Sequence, residues 1–204
     1  MAKFIAWDNR LSNTHSVRIT QAGIRNTGYN DSSNLSQFVA DARTMNTRLG
    51  KYTLEIWCHG WESDGQGGYG LQFCHEGITL RNVTQIGTAL SNKVDLIITR
   101  ACQAANRAFT TGSSYIGHYD QQGDGMLLCQ RLAVSANVPV VAAVQNQLYS
   151  YEYDSSWFGL SESNERNVDF GNWEGGVFVF APGFPPRWVN DPNNDAYIRQ
   201  VSAY

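Results

Sequence analysis

The sequence predicts a three-layer α/β/α sandwich around a mainly parallel central sheet. Three observations carry that expectation. The runs at 94–100 and 140–144 are apolar and β-branched along most of their length, as expected of strands buried on both faces. Segments between and before them repeat apolar residues at helical spacing. The 204 residues suit one domain, 1–204, long enough to bury a substantial core.

In chain order, residues 3–7 read as a first strand. Residues 8–32 are polar and rich in Asn, Thr, Ser and Gly, with Val17 and Ile19 as anchors of a short strand. Ser33 or Asn34 is placed to cap a helix that carries Leu35, Phe38, Val39, Ala42 and Met45 at helical spacing, and Gly50 stops it. A strand follows at 52–58, then a glycine-rich loop at 61–70, a short strand at 71–74 and a short helix at 82–91. After the strand 94–100, residues 103–122 read as loop. Asp124 is placed to cap a helix that turns Leu127, Leu128, Leu132 and Ala133 inward. Pro139 opens the strand 140–144, at a position where proline is tolerated. The region 150–204 is irregular and aromatic, with one clear strand at 176–180 that Pro182, Pro185 and Pro186 end. No element is assigned beyond residue 187. Neither an internal repeat nor a low-complexity segment occurs.

Composition narrows the function. The net charge is −3, from 15 basic and 18 acidic residues, and the basic residues are scattered. That argues against a nucleic-acid partner. No Lys/Arg block and no apolar run near the ~20 residues of a span suggests a membrane. The opening residues turn polar too soon for a signal peptide and read as a strand, so a cytoplasmic location is expected. Cys58, Cys74, Cys102 and Cys129 sit within apolar runs, and reduced thiols are expected of them.

The chemistry is carried by two strand ends. One run is Tyr52-Thr53-Leu54-Glu55-Ile56-Trp57-Cys58-His59-Gly60. The other is Val94-Asp95-Leu96-Ile97-Ile98-Thr99-Arg100-Ala101-Cys102-Gln103. In a parallel sheet the ligand crevice lies beyond the carboxyl ends of the strands. A thiol and an imidazole there are the minimum set for a cysteine nucleophile and its base. The competing reading makes Cys102 a small core residue and His59 a strand cap. Cys58 faces away from His59 by strand alternation and belongs to the core. Cys58-His59 and Cys74-His75 invite a zinc site, but neighbours on a strand face opposite ways and no C-x-x-C pair exists, so no metal is expected. His118 is a rival base, and His15 has no context. Glu62, Asp64, Asp120, Asp124 and Asp154 are candidates to orient His59 or to form the pocket wall, among which the sequence does not choose.

These motifs resemble those of the caspase-like cysteine peptidases, the group of caspases, metacaspases, clostripain-type enzymes, CHAT-domain proteases and toxin autoprocessing domains. The shared pattern is an apolar strand ending in His-Gly, then a second ending in a small residue and Cys, here Leu54 to Gly60 and Leu96 to Cys102. Arg100-Ala101-Cys102-Gln103-Ala104 agrees at its three central positions with a caspase stretch whose His lies upstream. Residues 123–129 and 138–142 resemble the following helix and strand of the CHAT and toxin types. The resemblance covers about 50–145 and implies a caspase-like central sheet. It further implies Cys102 as nucleophile, His59 as proton acceptor and donor, and the N–H groups of Gly60 and Cys102 as oxyanion donors. The partner it implies is a peptide or protein substrate, with no cofactor. The loops after His59 and Cys102 would wall the cleft, and an ordering step on activation fits their polarity. The activating partner or ligand is unknown; the lysine-poor composition gives no support to the inositol phosphate used by toxin-type relatives.

Arg100 lies two residues before Cys102 and so projects from the same strand face. In caspases this position is a Gln lining the pocket for the residue before the scissile bond; in metacaspases it is an acid. An Arg there fits an acidic substrate side chain by bidentate pairing. The alternative is internal pairing with Asp124, Glu152 or Asp154. Trp157, Trp173 and Trp188 could form a binding platform or pack as lid and core. Two other functions compete with the peptidase: a catalytically inactive caspase-like interaction module, and a partner-binding protein using the aromatic C-terminal region. Transpeptidation is a third use of the same dyad.

Overall fold

A computed structural model describes residues 3–11, 16–18, 25–44, 50–61, 67–107, 123–153 and 165–203. Along the chain run β1 (Lys3–Asp8), β2 (Ser16–Arg18), β3 (Arg25–Tyr29), α1 (Leu35–Arg43), β4 (Tyr52–Trp57) and β5 (His59–Gly60). There follow β6 (Leu71–Gln72), α2 (Val83–Leu90), β7 (Val94–Arg100), α3 (Gly125–Ala136) and β8 (Val140–Ala143). The rest comprises β9 (Ser150–Tyr153), β10 (Glu165–Asp169), β11 (Val177–Phe180), β12 (Arg187–Trp188) and α4 (Asp195–Ser202). The fold is mixed α/β. Its central sheet has seven strands in the order β12-β11-β8-β7-β4-β1-β3. The pairings from β8 through β7, β4 and β1 to β3 are parallel, and β11 and β12 add antiparallel pairings at one edge.

Strand alternation divides the core in two. Phe4, Leu54, Ile56, Ile97, Val140 and Ala142 face α1, α2 and α3, meeting Phe38, Val83, Ile86, Leu128 and Leu132. Ile5, Trp7, Trp57, Leu96, Ile98 and Val141 face the other way, meeting Val168, Phe170, Trp173 and Ile198 of the C-terminal region. Each large apolar side chain so buried contributes roughly 1.5–3 kcal/mol. Central strands expected to be buried on both faces are therefore buried on both faces.

Several elements differ from expectation. Leu127, expected inward on α3, is exposed; the buried stripe is Leu128, Cys129, Leu132, Ala133 and Ala136. Leu127 lies too far round the helix from that stripe to share its burial. The strand expected at 71–74 is only β6, because Cys74 takes a left-handed conformation at φ 57° and turns the chain. Asn34 stands at the N-cap of α1 without a side-chain cap bond; the Leu35 N–H donates instead to Glu76 Oε2 at 2.9 Å. Met45 lies outside the described residues. The polar tail forms α4, capped by the Asn194 side chain, which accepts from the Tyr197 N–H at 3.1 Å. Among the described residues no helix is long and apolar enough to cross a membrane.

Candidate active site

The register of β4 and β7 sets the two strand ends level. Trp57 pairs with Arg100, and the Cys58 N–H donates to the Arg100 carbonyl at 3.3 Å. His59 and Cys102 each stand two residues beyond that pair. β5 then turns back antiparallel onto β6, which carries Gly60 against the Cys102 backbone. A Cβ at Gly60 would collide with the Cys102 carbonyl, so the absence of a side chain is what permits this approach. The Tyr149 hydroxyl ties the two ends together further, reaching the carbonyls of Cys58 and Arg100. Cys58 itself is buried in the core below, as expected.

His59 is half-buried, and its Nε2 lies 3.0 Å from the Arg10 carbonyl. A carbonyl oxygen only accepts, so Nε2 carries the hydrogen in this contact. The neutral ring then keeps its lone pair on Nδ1, the atom free to take a proton. Arg10 is itself fixed. Asp8, fully buried at the end of β1, accepts from the Arg10 N–H at 3.0 Å and from its Nε and Nη2 at 2.7 Å each. Asp8 also accepts from the Cys74 N–H at 3.0 Å, while Arg10 Nη2 donates to the Cys74 carbonyl at 2.6 Å. The group orienting His59 is thus a main-chain carbonyl secured by the ion pair of buried Asp8 with half-buried Arg10. Asp124 serves elsewhere: it caps α3 and pairs with Arg107 at 3.1 Å. Glu62, Asp64, Asp120 and Asp154, together with His15 and His118, lie outside the described residues.

Cys102 is half-buried at the start of a tight turn. Its Sγ receives the Gln147 N–H at 3.3 Å and lies 3.4 Å from the Gln147 carbonyl. Gln103 takes a left-handed conformation at φ 49°, which reverses the chain immediately after the cysteine. Its N–H donates to the Gln145 carbonyl at 2.9 Å. Its side chain gathers three segments: Oε1 accepts from the Gly67 N–H at 2.6 Å and from Asn106 Nδ2 at 2.7 Å, and Nε2 donates to Asn146 Oδ1 at 2.7 Å. The described end of the glycine-rich loop therefore packs on the turn that carries Cys102.

The four cysteines are free. Burial pushes the thiols of Cys58, Cys74 and Cys129 upward, with nearby carboxylates adding to the effect. A thiol held protonated is a poor nucleophile. Cys102, the one cysteine not fully buried, is the natural candidate for reaction.

Arg100 is buried beneath Phe170 and Trp173, its guanidinium carbon 4.3 Å from each ring centroid. Such stacking suits a planar, weakly hydrated cation. Its internal partner is Glu55, with Nε 3.7 Å from Oε2, rather than Asp124. The side chain of Glu152 and all of Asp154 lie outside the described residues. Glu55 also meets Lys3 at 2.7 Å and receives the Trp57 indole N–H at 2.8 Å. Burial alone would raise the Glu55 carboxyl, but Arg100 and Lys3 outweigh it and hold it below the ordinary value. Burial draws the Arg100 guanidinium down against the pull of Glu55. Arg100 Nε and Nη1 make no hydrogen bond among the described residues. Trp173 packs in the core, Trp188 is exposed, and Trp157 lies outside the described residues.

Sequence reasoning missed Asp8, Arg10, Gln147 and Tyr149. Arg10 and Gln147 act through main-chain atoms, which no residue type announces. Asp8 left a faint signal, an acid at a strand end two residues before an arginine. Set beside known proteins, the chain matches no protein-family model and no curated sequence.

Proposed function

We propose that this protein is a caspase-like cysteine endopeptidase, a three-layer α/β/α sandwich with its cleft at the carboxyl ends of β4 and β7. The observation that carries the reading is the packing of Gly60, the residue after His59, directly against the Cys102 backbone, with His59 Nε2 committed to the Arg10 carbonyl. His59 Nδ1 takes the thiol proton, and Cys102 Sγ attacks the peptide carbonyl. The N–H groups of Gly60 and Cys102 receive the oxyanion, a contribution worth roughly 3 kcal/mol per donor in comparable sites. The C–N bond then breaks as His59 returns the proton to the leaving amine. Water adds to the thioester, releasing the carboxylic acid and restoring the thiol. No step calls on a cofactor. Free cysteines accord with a cytoplasmic setting.

Arg100 gives this site a preference for an acidic side chain before the scissile bond. Lys3 and Arg100 are two cations sharing the buried carboxylate of Glu55, and the buried Nε and Nη1 of Arg100 make no hydrogen bond among the described residues. An incoming carboxylate would supply the missing acceptor.

The test is cleavage of a peptide library, varied before the scissile bond, by wild type and by Cys102→Ala. Cleavage by wild type alone, strongest after Asp or Glu, is the expected result. Preference for Arg before the bond would remove the role given to Arg100. Equal cleavage by both proteins would remove the peptidase reading. A second reading, partner recognition by the C-terminal region, draws on the exposed Phe184 and Trp188 and predicts no cleavage by either protein.

A further inference from the structure

The sulfur of Cys102 meets two main-chain atoms of Gln147, a residue outside its own turn. The Gln147 N–H points at Sγ from 3.3 Å, and the Gln147 carbonyl lies 3.4 Å from it. The two contacts suit different protonation states. A thiol donates its hydrogen to the carbonyl, whereas a thiolate is acceptor-only and keeps the N–H. Gln147 can therefore engage the sulfur before and after it loses its proton.

What holds that main-chain segment in place is the Gln147 side chain. It is 3 % exposed and folds back under its own backbone. Its amide nitrogen lies 3.1 Å from the Gln145 carbonyl, 3.0 Å from the Asn146 carbonyl and 2.8 Å from the Glu174 carbonyl. Its oxygen accepts from the Glu174 N–H at 3.1 Å. The Gln145 carbonyl also accepts from the Gln103 N–H, next to the nucleophile. A buried amide so completely used fixes its neighbours firmly, because leaving any of these groups unpaired is costly. The clamp spans three places: the turn after Cys102, the segment 145–147, and the loop before β11.

We infer that the Gln147 N–H is an additional catalytic group, a hydrogen-bond donor to the Cys102 thiolate, and that the Gln147 side chain is the positioning residue that aims it. The inference rests on Cys102 being the nucleophile. It adds a donor to the reacting sulfur itself, separate from the oxyanion donors, which act on the substrate. The donor favours the charged sulfur over the thiol and leaves His59 Nδ1 to remove the proton.

The decisive variant replaces the Asn146–Gln147 amide by an ester, which deletes this N–H and leaves every side chain unchanged. Two readouts need no peptide substrate: the rate of Cys102 alkylation by iodoacetamide at neutral pH, and the thiolate ultraviolet absorbance. A charge-assisted hydrogen bond of ordinary strength predicts alkylation slowed about tenfold, with a matching loss of thiolate absorbance. Gln147→Leu, which empties the clamp, is expected to slow alkylation in the same direction. Melting curves of both variants separate this effect from unfolding. Unchanged alkylation and absorbance in a folded ester variant would overturn the inference. Slowed alkylation in a protein that cuts no peptide would uphold the donor while counting against the peptidase reading.

Discussion

Asp8 determines where a carbonyl two residues away can sit. Its carboxylate is fully buried and accepts from the Arg10 backbone, the Arg10 guanidinium and the Cys74 backbone at once. Asparagine has the same shape but turns one acceptor into a donor. Whichever way it is flipped, its NH2 faces another donor. Asp8→Asn is therefore expected to destabilise the protein by about 2 kcal/mol, less than for a fully buried pair because Arg10 is partly exposed. It should also release the Arg10 carbonyl, and with it the tautomer of His59. Urea unfolding measures the first effect. Ring-nitrogen NMR of His59, showing hydrogen on both Nδ1 and Nε2 across the population, measures the second. Wild-type stability with a single Nε2–H tautomer in the variant would contradict the lock.

At the scale of elements, α3 follows from local chemistry. The Asp124 side chain accepts from the Leu127 N–H at 2.9 Å, which satisfies one of the unpaired donors of the first turn. Asn137 closes the helix in a left-handed conformation at φ 54°. Asp124→Ala should lower stability by about 1 kcal/mol, read as a drop in melting temperature. The pair with Arg107 adds little, because that side chain is largely exposed. The same locality explains what could be read in advance. β4, β7 and β8 announce themselves by apolar runs, and α3 by its cap and stripe. His59 and Cys102 stand out because they end two such runs. β3 and β12 hold their places by main-chain pairing to β1 and β11, and their residues RNTGY and RW carry no strand pattern. α4 has a thin apolar face, with Ile198 its one buried apolar residue. For Arg100 the sequence offers either a substrate carboxylate or an internal partner, and the partner it has in the fold, Glu55, sits on the neighbouring strand. Only the register of β4 against β7 brings the two together.

Over the whole molecule, buried ionisable groups should bound stability on both sides of neutrality. Glu55 is held below its ordinary value in the fold by Arg100 and Lys3 acting against its burial. A depressed carboxyl contributes stability that is present above the unfolded value, about 4.3, and lost as pH falls through the folded one. The acid limb thus begins below about pH 4.3. Cys58 and Cys129 behave oppositely, since burial raises both thiols. Their contribution is complete below the unfolded thiol value of about 8.5 and declines as pH rises toward the folded values. Each thiol should remove about 1.4 kcal/mol per pH unit in that range. Urea unfolding across pH, followed for wild type, Glu55→Gln and Cys129→Ala, resolves the two limbs. Glu55→Gln should flatten the acid limb and leave the alkaline one. Cys129→Ala should shallow the alkaline limb by one thiol's share, after its uniform loss from the vacated volume is subtracted. An alkaline limb of unchanged slope in Cys129→Ala would mean that the buried thiol does not govern it, and ionisation of other groups in the unfolded chain would have to account for the loss.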